Sequence, residues 1–310
     1  HTRHGDCDDT RHRSHLFERR PGPGSARWRA GIRSLDHRRY RRCRSRDDRP
    51  ACLEEKSAAR LTCQGIDVDN DRRRHIRIAS YNVHGCIGTD GVFAPTRIAD
   101  VLAGLDADFI ALQEVEDRKF QGMTVSQFFA DILDLQIAAR TTHKRAGMDY
   151  GNLLLSRVQS LRTVSHDLAF SRREPRGAIE ADFVIHGHSL RVVATHFGLS
   201  MKERRVQLQK LLPYLEDRAP DLTVLCADFN EWLPFSHLHR VLRRILGAAP
   251  AVRTFPSRLP ALSLDRIYAS PLTTLVSIEA VATADVRKAS DHLPIVAVFD
   301  LARIRADSSG

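Results

Sequence analysis

Residues 150–197 carry three apolar runs in close succession: YGNLLLS at 150–156, AIEADFVI at 178–185 and LRVVATHF at 190–197. Each is bounded by Gly, Pro or charge clusters and has the length of a strand. Strands that follow one another directly exclude a simple doubly wound parallel sheet, in which strand and helix alternate.

Outward from this block the pattern continues. IRIASYNV (76–83) alternates as a strand, and Pro95 to Leu105 reads as a helix with Pro in its first turn. DFIALQEV (108–115) is a buried strand, followed by a helical pattern through Val125 to Leu135. His143, Lys144 and Arg145 read as a basic loop. Helical spacing returns at Lys202 to Leu215, where Glu203, Arg204 and Arg205 are expected on the solvated face of a helix starting near Ser200. TVLCADF (223–229) is a strand and Ser236 to Leu246 a helix. LDRIYAS (264–270), LVSIEAV (275–281) and PIVAVFD (294–300) complete the strands. Strands outnumber helices, which predicts an α+β fold of two mixed sheets packed together with helices outside.

The formal net charge of +10 is unevenly placed. Residues 1–74 hold 20 Lys and Arg against 12 Asp and Glu, whereas residues 75–310 hold 28 against 26. Bulk charge therefore says little about what the folded part binds. The first 74 residues show no sustained period and are rich in Arg, His, Asp and Ser. They are expected to be a disordered extension, read as upstream sequence without an evolved role rather than as a basic arm. A folded domain is expected over 75–305, with a tail at 306–310. None of the six cysteines forms a CxxC pair, which leaves a zinc site without support. No apolar run approaches the roughly 20 residues that span a bilayer. The N-terminus shows no signal-peptide core, so a cytoplasmic protein is expected; a monomer is expected as its state.

Polar residues at the C-terminal ends of apolar strands call for a reason other than packing. They are Asn82, Glu114, His196, Asp228 with Asn230, and Asp291 with His292; Asp265 opens the LDRIY run. The set suits phosphodiester cleavage. Mg²⁺ takes oxygen donors and one or two carboxylates, for which Glu114 is the natural ligand with the Asn82 amide oxygen beside it. His292, oriented by Asp265, can hydrogen-bond or protonate a phosphate oxygen. Asp228 can position or deprotonate water, and Asn230 can donate to the phosphoryl group.

In chain order the motifs are YNVHG, ALQEV, YGNLLLSR, THFGL, ADFN, LDRIY and SDHLP. Together they closely resemble the endonuclease/exonuclease/phosphatase superfamily, from Ile78 to about Phe299. The superfamily includes DNase I, exonuclease III-type AP endonucleases, neutral sphingomyelinases and inositol polyphosphate 5-phosphatases. The resemblance implies a DNase I-like four-layer α/β/β/α sandwich and Mg²⁺ as cofactor, with Mn²⁺ as the alternative ion. It implies that Asn82 and Glu114 bind the metal, that Asp228 and Asn230 contact nucleophile and phosphate, and that Asp265 and His292 form the catalytic pair. Asp291 matches an Asp often assigned to metal or water. His196 falls where some members carry a second active-site His, and Tyr150 and Asn152 occupy a segment near the phosphate. Ala227 departs from the Gly that most members carry there. It should be tolerated unless that backbone needs positive φ. His84 matches no fixed family position and is expected to have a surface or supporting role.

Arg176, in REPRGAIE, is read either as a bidentate phosphate ligand or as a loop arginine in solvent. The substrate is expected to be a nucleic acid, with a phospholipid or small phosphodiester as the alternative. A non-catalytic binding module of the same fold is the third reading. The segment before SLDRIY lacks the WxRxD pattern of AP endonucleases, which disfavours abasic-site repair, and the long insertions of 5-phosphatases are absent.

Overall fold

The computed structural model describes residues 74–145 and 147–304. Residues 1–73 of the extension expected over 1–74, and the tail expected over 306–310, lie outside the described residues; Arg74 itself is ordered, its Nε donating to Asp300 Oδ1 at 2.8 Å.

One sheet has six strands in the order β12-β13-β1-β2-β6-β5. These are β1 (His75–Asn82), β2 (Phe109–Glu116), β5 (Gln136–Arg145), β6 (Met148–Ser156), β12 (Leu275–Ala280) and β13 (Ile295–Asp300). The other has five in the order β11-β10-β9-β8-β7. They are β7 (Arg162–Asp167), β8 (Gly177–Ile185), β9 (His188–His196), β10 (Leu222–Asp228) and β11 (Asp265–Ser270). A short hairpin pairs β3 (Lys119–Phe120) with β4 (Met123–Thr124). Both large sheets are mixed: β1 runs parallel to β2 and β9 to β10, and the remaining pairs are antiparallel.

Period-two alternation sorts the side chains into layers. Ile76, Ile78, Phe109, Ala111 and Leu154 of the first sheet pack against Ile179, Val192, Ala194, Val224 and Cys226 of the second. On the first sheet's other face, Tyr81, Ile110, Leu112 and Leu153 meet α1 (Pro95–Leu105), α2 (Val125–Leu133) and α5 (Ala284–Ala289). On the second sheet's other face, Val193, Leu225, Ala227 and Tyr268 meet α3 (Met201–Leu215) and α4 (His237–Leu246). Helix, sheet, sheet, helix is the expected four-layer sandwich.

Local chemistry sets the helix starts. Pro95 stands at the first turn of α1, where its missing N–H has no intrahelical partner to lose. Thr124, Ser200, Ser236 and Thr283 cap α2 to α5, each accepting a backbone N–H of the first turn. Two local readings change. His143, Lys144 and Arg145 lie in β5, not in a loop. Glu203 and Arg204 are buried, and only Arg205 keeps the expected exposure. Arg204 is tolerated inside because it is paired: its Nη2 donates to Glu231 Oε2 at 2.9 Å and its Nη1 to the carbonyl of Leu199 at 2.6 Å, while Glu203 Oε1 accepts from Gln207 Nε2 at 3.4 Å. No helix among the described residues is long and apolar enough to cross a membrane.

Candidate active site

Strand register assembles the site. Asp228 pairs with His196 of β9 on one side and with Asp265 of β11 on the other. All three continue the inward-facing rows of Ala194, Cys226 and Ile267, so they end on the inner face of the second sheet. Asn82 extends the inward row of Ile76 and Ile78 on β1. Glu114 should point outward by the same count, since Phe109 and Ala111 face inward. A bulge between Leu112 and Val115 breaks the count, and Glu114 adopts a left-handed φ of 57°. Such a conformation is strained for Glu, and its effect here is to turn the carboxylate back into the site.

The two sheets meet at Asn82. Its Nδ2 donates to Glu114 Oε1 and to Asp228 Oδ2, each at 3.0 Å. Its Oδ1 accepts the backbone N–H of His84 at 3.0 Å. The contribution of His84 is thus its backbone; the imidazole is exposed. Asp228 Oδ1 accepts the N–H of Asn230 at 2.9 Å, a local turn that suits Asn230 to its φ of 49°. Phe197 and Phe229, which follow His196 and Asp228 in sequence, stack at 5.2 Å and hold the two strand ends together. Ala227 is an ordinary buried strand residue outside the left-handed region, which fits its tolerance in place of Gly.

His292 Nδ1 lies 2.8 Å from Asp265 Oδ2, and Nε2 lies 3.7 Å from Asp228 Oδ2. Burial alone would pull the ring's pKa down. The carboxylates of Asp265 and Asp228 outweigh it and raise the pKa to about 10, which makes His292 an imidazolium at neutral pH. Asp265 Oδ1 is buried without a hydrogen-bond partner.

His196 is the opposite case. Burial drives its pKa down to about 3, with Asp228 resisting and Arg176 and His292 assisting. Arg176 Nη1 lies 2.7 Å from His196 Nδ1, and Asn230 Nδ2 lies 3.0 Å from Nε2. A neutral ring accepts at only one nitrogen, and a guanidinium always donates. Nδ1 is therefore the acceptor and the proton sits on Nε2, facing Asp228 Oδ2 at 3.5 Å and Glu114 Oε1 at 3.9 Å. The Asn230 amide donates to the carbonyl of Phe197 at 3.0 Å.

Arg176 is not in solvent. Its side chain is 9% exposed, its Nη2 pairs with Glu174 at 2.8 Å, and its buried Nε has no partner. A cleft of about 480 Å³ opens beside it, lined by Glu114, His143, Tyr150, Asn152, Arg176 and His196. Asn152 donates to Thr141 Oγ1 and to the carbonyl of Gly177, fastening β6 to β5 and β8. Burial pushes the Tyr150 phenol well above its ordinary range. Asp291 stands apart at the rim, 3.8 Å from His84 Nδ1 and 3.4 Å from Ser290 Oγ. One atom each of Asp228, Asp265 and His292 lie within 4.8 Å of one another, so a divalent cation could be held there.

A model of the Endonuclease/Exonuclease/phosphatase family matches residues 79–292. The chain belongs to this family. The Escherichia coli K12 protein YbhP is 26% identical over 254 residues, covering 75% of this chain and 99% of YbhP. Among solved structures, the family protein of Bacteroides vulgatus superposes with a TM-score of 0.59 at 20% identity, over 73% of this chain and 98% of that one. The mannosyl-6-phosphatase of Bacteroides thetaiotaomicron gives 0.55 at 16% identity, over 72% and 98%. A zebrafish TDP2 complexed with a single-strand DNA product gives 0.55 at 17%, over 73% and 99%. These structures share the fold: two packed sheets flanked by helices.

Proposed function

We propose that the domain expected over 75–305 is a divalent-metal-dependent phosphodiesterase, with Mg²⁺ as its ion. The observation that carries this reading is the convergence of polar side chains from both sheets on one carboxylate: Asp228 Oδ2 lies 3.0 Å from Asn82 Nδ2, 3.5 Å from His196 Nε2 and 3.7 Å from His292 Nε2. Asp228 lies between an imidazolium, His292, and a neutral ring, His196. Titratable groups pushed apart by their surroundings are suited to separate acid and base work.

The donor set fits a hard cation. Glu114 offers a carboxylate that opens into the cleft, and Asn82 Oδ1, already accepting from His84, has a second lone pair to give. Glu114 and Asn82 would hold the ion. Asp228, Asp265 and His292 form an alternative set by distance, in which His292 would give up its Nε2 proton to the ion. When bound, the ion supplies Lewis-acid stabilisation of the phosphoryl charge.

The chain's own groups divide the remaining work. Asp228 orients the attacking water and accepts its proton. His292, held by Asp265, presents Nε2–H to a non-bridging phosphate oxygen. The Nε2–H of His196 supplies a second, neutral donor on the opposite side, and Asn230 stands beside it. Asp291 acts from the rim on metal or water. Arg176, Tyr150 and Asn152 line the cleft where the rest of the ester would rest, and the unpartnered Nε of Arg176 is suited to an anionic oxygen.

The fold accommodates different esters, as the phosphatase and the DNA-bound neighbour illustrate. Nucleic acid is the first substrate to test and phospholipid the second; the exposed apolar rim described next favours the second. A panel of plasmid DNA, phospholipid vesicles and bis-p-nitrophenyl phosphate, each with Mg²⁺ and with chelator, tests the reading. Metal-dependent turnover of at least one diester is expected. No turnover of any of them with Mg²⁺ or Mn²⁺ would leave only a non-catalytic binding module.

A further inference from the structure

Two loops leave the site and carry an unusual set of side chains outward. The β9–α3 loop runs from His196 to Leu199 and into α3 at Met201. The β10–α4 loop runs from Asn230 through Trp232, Leu233 and Phe235. Exposure is 71% for Leu199, 71% for Met201, 54% for Trp232, 50% for Leu233 and 79% for Phe235. Single exposed apolar residues are ordinary, but five large ones on two touching loops are not. The loops do touch. Met201, Lys202, Arg205, Leu233, His237 and Leu238 line one shared groove of about 360 Å³.

The buried frame explains why these residues stay outside. Arg204 of one loop region pairs with Glu231 of the other, both with side chains nearly inaccessible. Glu231 Oε1 also accepts the N–H of Leu233, and the Glu231 carbonyl meets the Nε2 of buried His239. Polar bonds therefore fix the loops, and the apolar side chains are left free.

The charges around the patch have one sign. Lys202, Arg205, Arg240 and Arg244 are exposed, and among the described residues none has an ion-pair partner. The nearby acids Glu203 and Glu231 are buried. Arg243 lies over the Phe235 ring at 5.9 Å.

We propose that this rim docks the protein on an anionic phospholipid surface, with Trp232, Leu233, Phe235, Leu199 and Met201 entering the interface and the four cations meeting the headgroups. Apolar side chains beside unpaired cations are the composition of an interfacial membrane contact. Nucleic acid would use the cations and could stack on Trp232 and Phe235, but it has no use for Leu199, Met201 and Leu233. The docking itself is independent of the phosphodiesterase reading. That the same surface supplies the substrate rests on that reading, because His196 and Asn230 lie three and two residues from the first exposed apolar side chain on each loop, Leu199 and Trp232.

The full chain has two tryptophans, Trp28 and Trp232, so Trp28→Phe makes Trp232 the sole reporter. With vesicles of phosphatidylcholine and phosphatidylglycerol, Trp232 emission should move to shorter wavelength and become shielded from acrylamide. Leu233→Ser/Phe235→Ser on this background should weaken vesicle binding by about tenfold or more, the scale set by burying one or two large apolar side chains. Lys202→Glu/Arg205→Glu should weaken binding to anionic vesicles and remove its salt dependence in part. Circular dichroism confirms folding, and both double variants should turn over bis-p-nitrophenyl phosphate as the parent does. A parent inert toward that ester but bound to vesicles through Trp232 would end the phosphodiesterase reading and keep the docking. Unchanged Trp232 emission on vesicles would overturn the docking, even if the basic N-terminal segment carries the chain to the membrane. It would equally be overturned if the emission shift came only with DNA, or only with self-association.

Discussion

Arg176 Nη1 donates to Nδ1 of His196 over 2.7 Å, so a permanent cation faces a buried histidine in the middle of the site. The contact fixes the ring's tautomer and opposes its protonation. By NMR, His196 should remain neutral with its proton on Nε2 from about pH 5 to 8. Arg176→Ala should let the ring titrate closer to its ordinary value of about 6.5 and lower turnover most at the acid end. An unchanged His196 titration would remove this role from Arg176.

His292 carries the opposite sign. Its pKa rises to about 10 in the folded protein against about 6.5 unfolded, so its contribution to stability is complete below about pH 6.5 and is lost as pH rises through about 10. The depressed His196 binds its proton less readily when folded, and its contribution is lost as pH falls from about 6.5 toward 3. Asp265→Asn should flatten the alkaline loss of stability in metal-free protein, followed by urea denaturation across pH. It should also reduce turnover by roughly a thousandfold or more, as loss of an orienting carboxylate does elsewhere. An alkaline profile identical to wild type would show that Asp265 does not set the charge of His292.

The Asp265–His292 pair was legible as a motif because each residue adjoins an apolar strand that explains itself as core, although His292 lies in the loop before β13 and not at the C-terminal end of a strand as expected. The inner strands were legible for the same reason: burial on both faces makes them continuous apolar runs. Edge strands divide: β11 and β12 stand out as apolar runs, whereas β5 and β7, at the opposite edges, carry Arg, Thr, His and Ser on half-solvated faces and show no such run. Glu203 and Arg204 read as solvated because charge in a helix usually is. The burial of Arg204 depends on Glu231, 27 residues away, and no local pattern reports that. Gly198 carries a related constraint: a Cβ there would collide with the Glu203 carboxyl group. The inward turn of Glu114 was invisible to alternation, since a bulge breaks the very count that alternation relies on. Arg176 meets His196 only because β8 and β9 form a hairpin that returns the chain to the same end of the sheet.

The two candidate metal sets can be separated. If Glu114 and Asn82 hold the ion, Glu114→Gln should abolish most Mn²⁺ binding measured by calorimetry, and Asp265→Asn should leave it within a few-fold. The reverse order would assign the ion to Asp228, Asp265 and His292 instead.

Arg204 and Glu231 form a buried pair whose separation strands a charge. Arg204→Ala should destabilise the protein by about 3–5 kcal/mol in urea denaturation. Replacing both residues by apolar ones of similar size should be markedly milder. Equal losses in the two variants would mean that the pair contributes packing alone.

Turnover of bis-p-nitrophenyl phosphate by wild type, Glu114→Ala and His292→Ala, measured side by side with and without Mg²⁺, tests the central claim most directly. Wild type should hydrolyse the diester only with the ion present, and each variant should lose about a hundredfold or more. A Glu114→Ala protein as active as wild type, or a wild type inert with both Mg²⁺ and Mn²⁺, would contradict it.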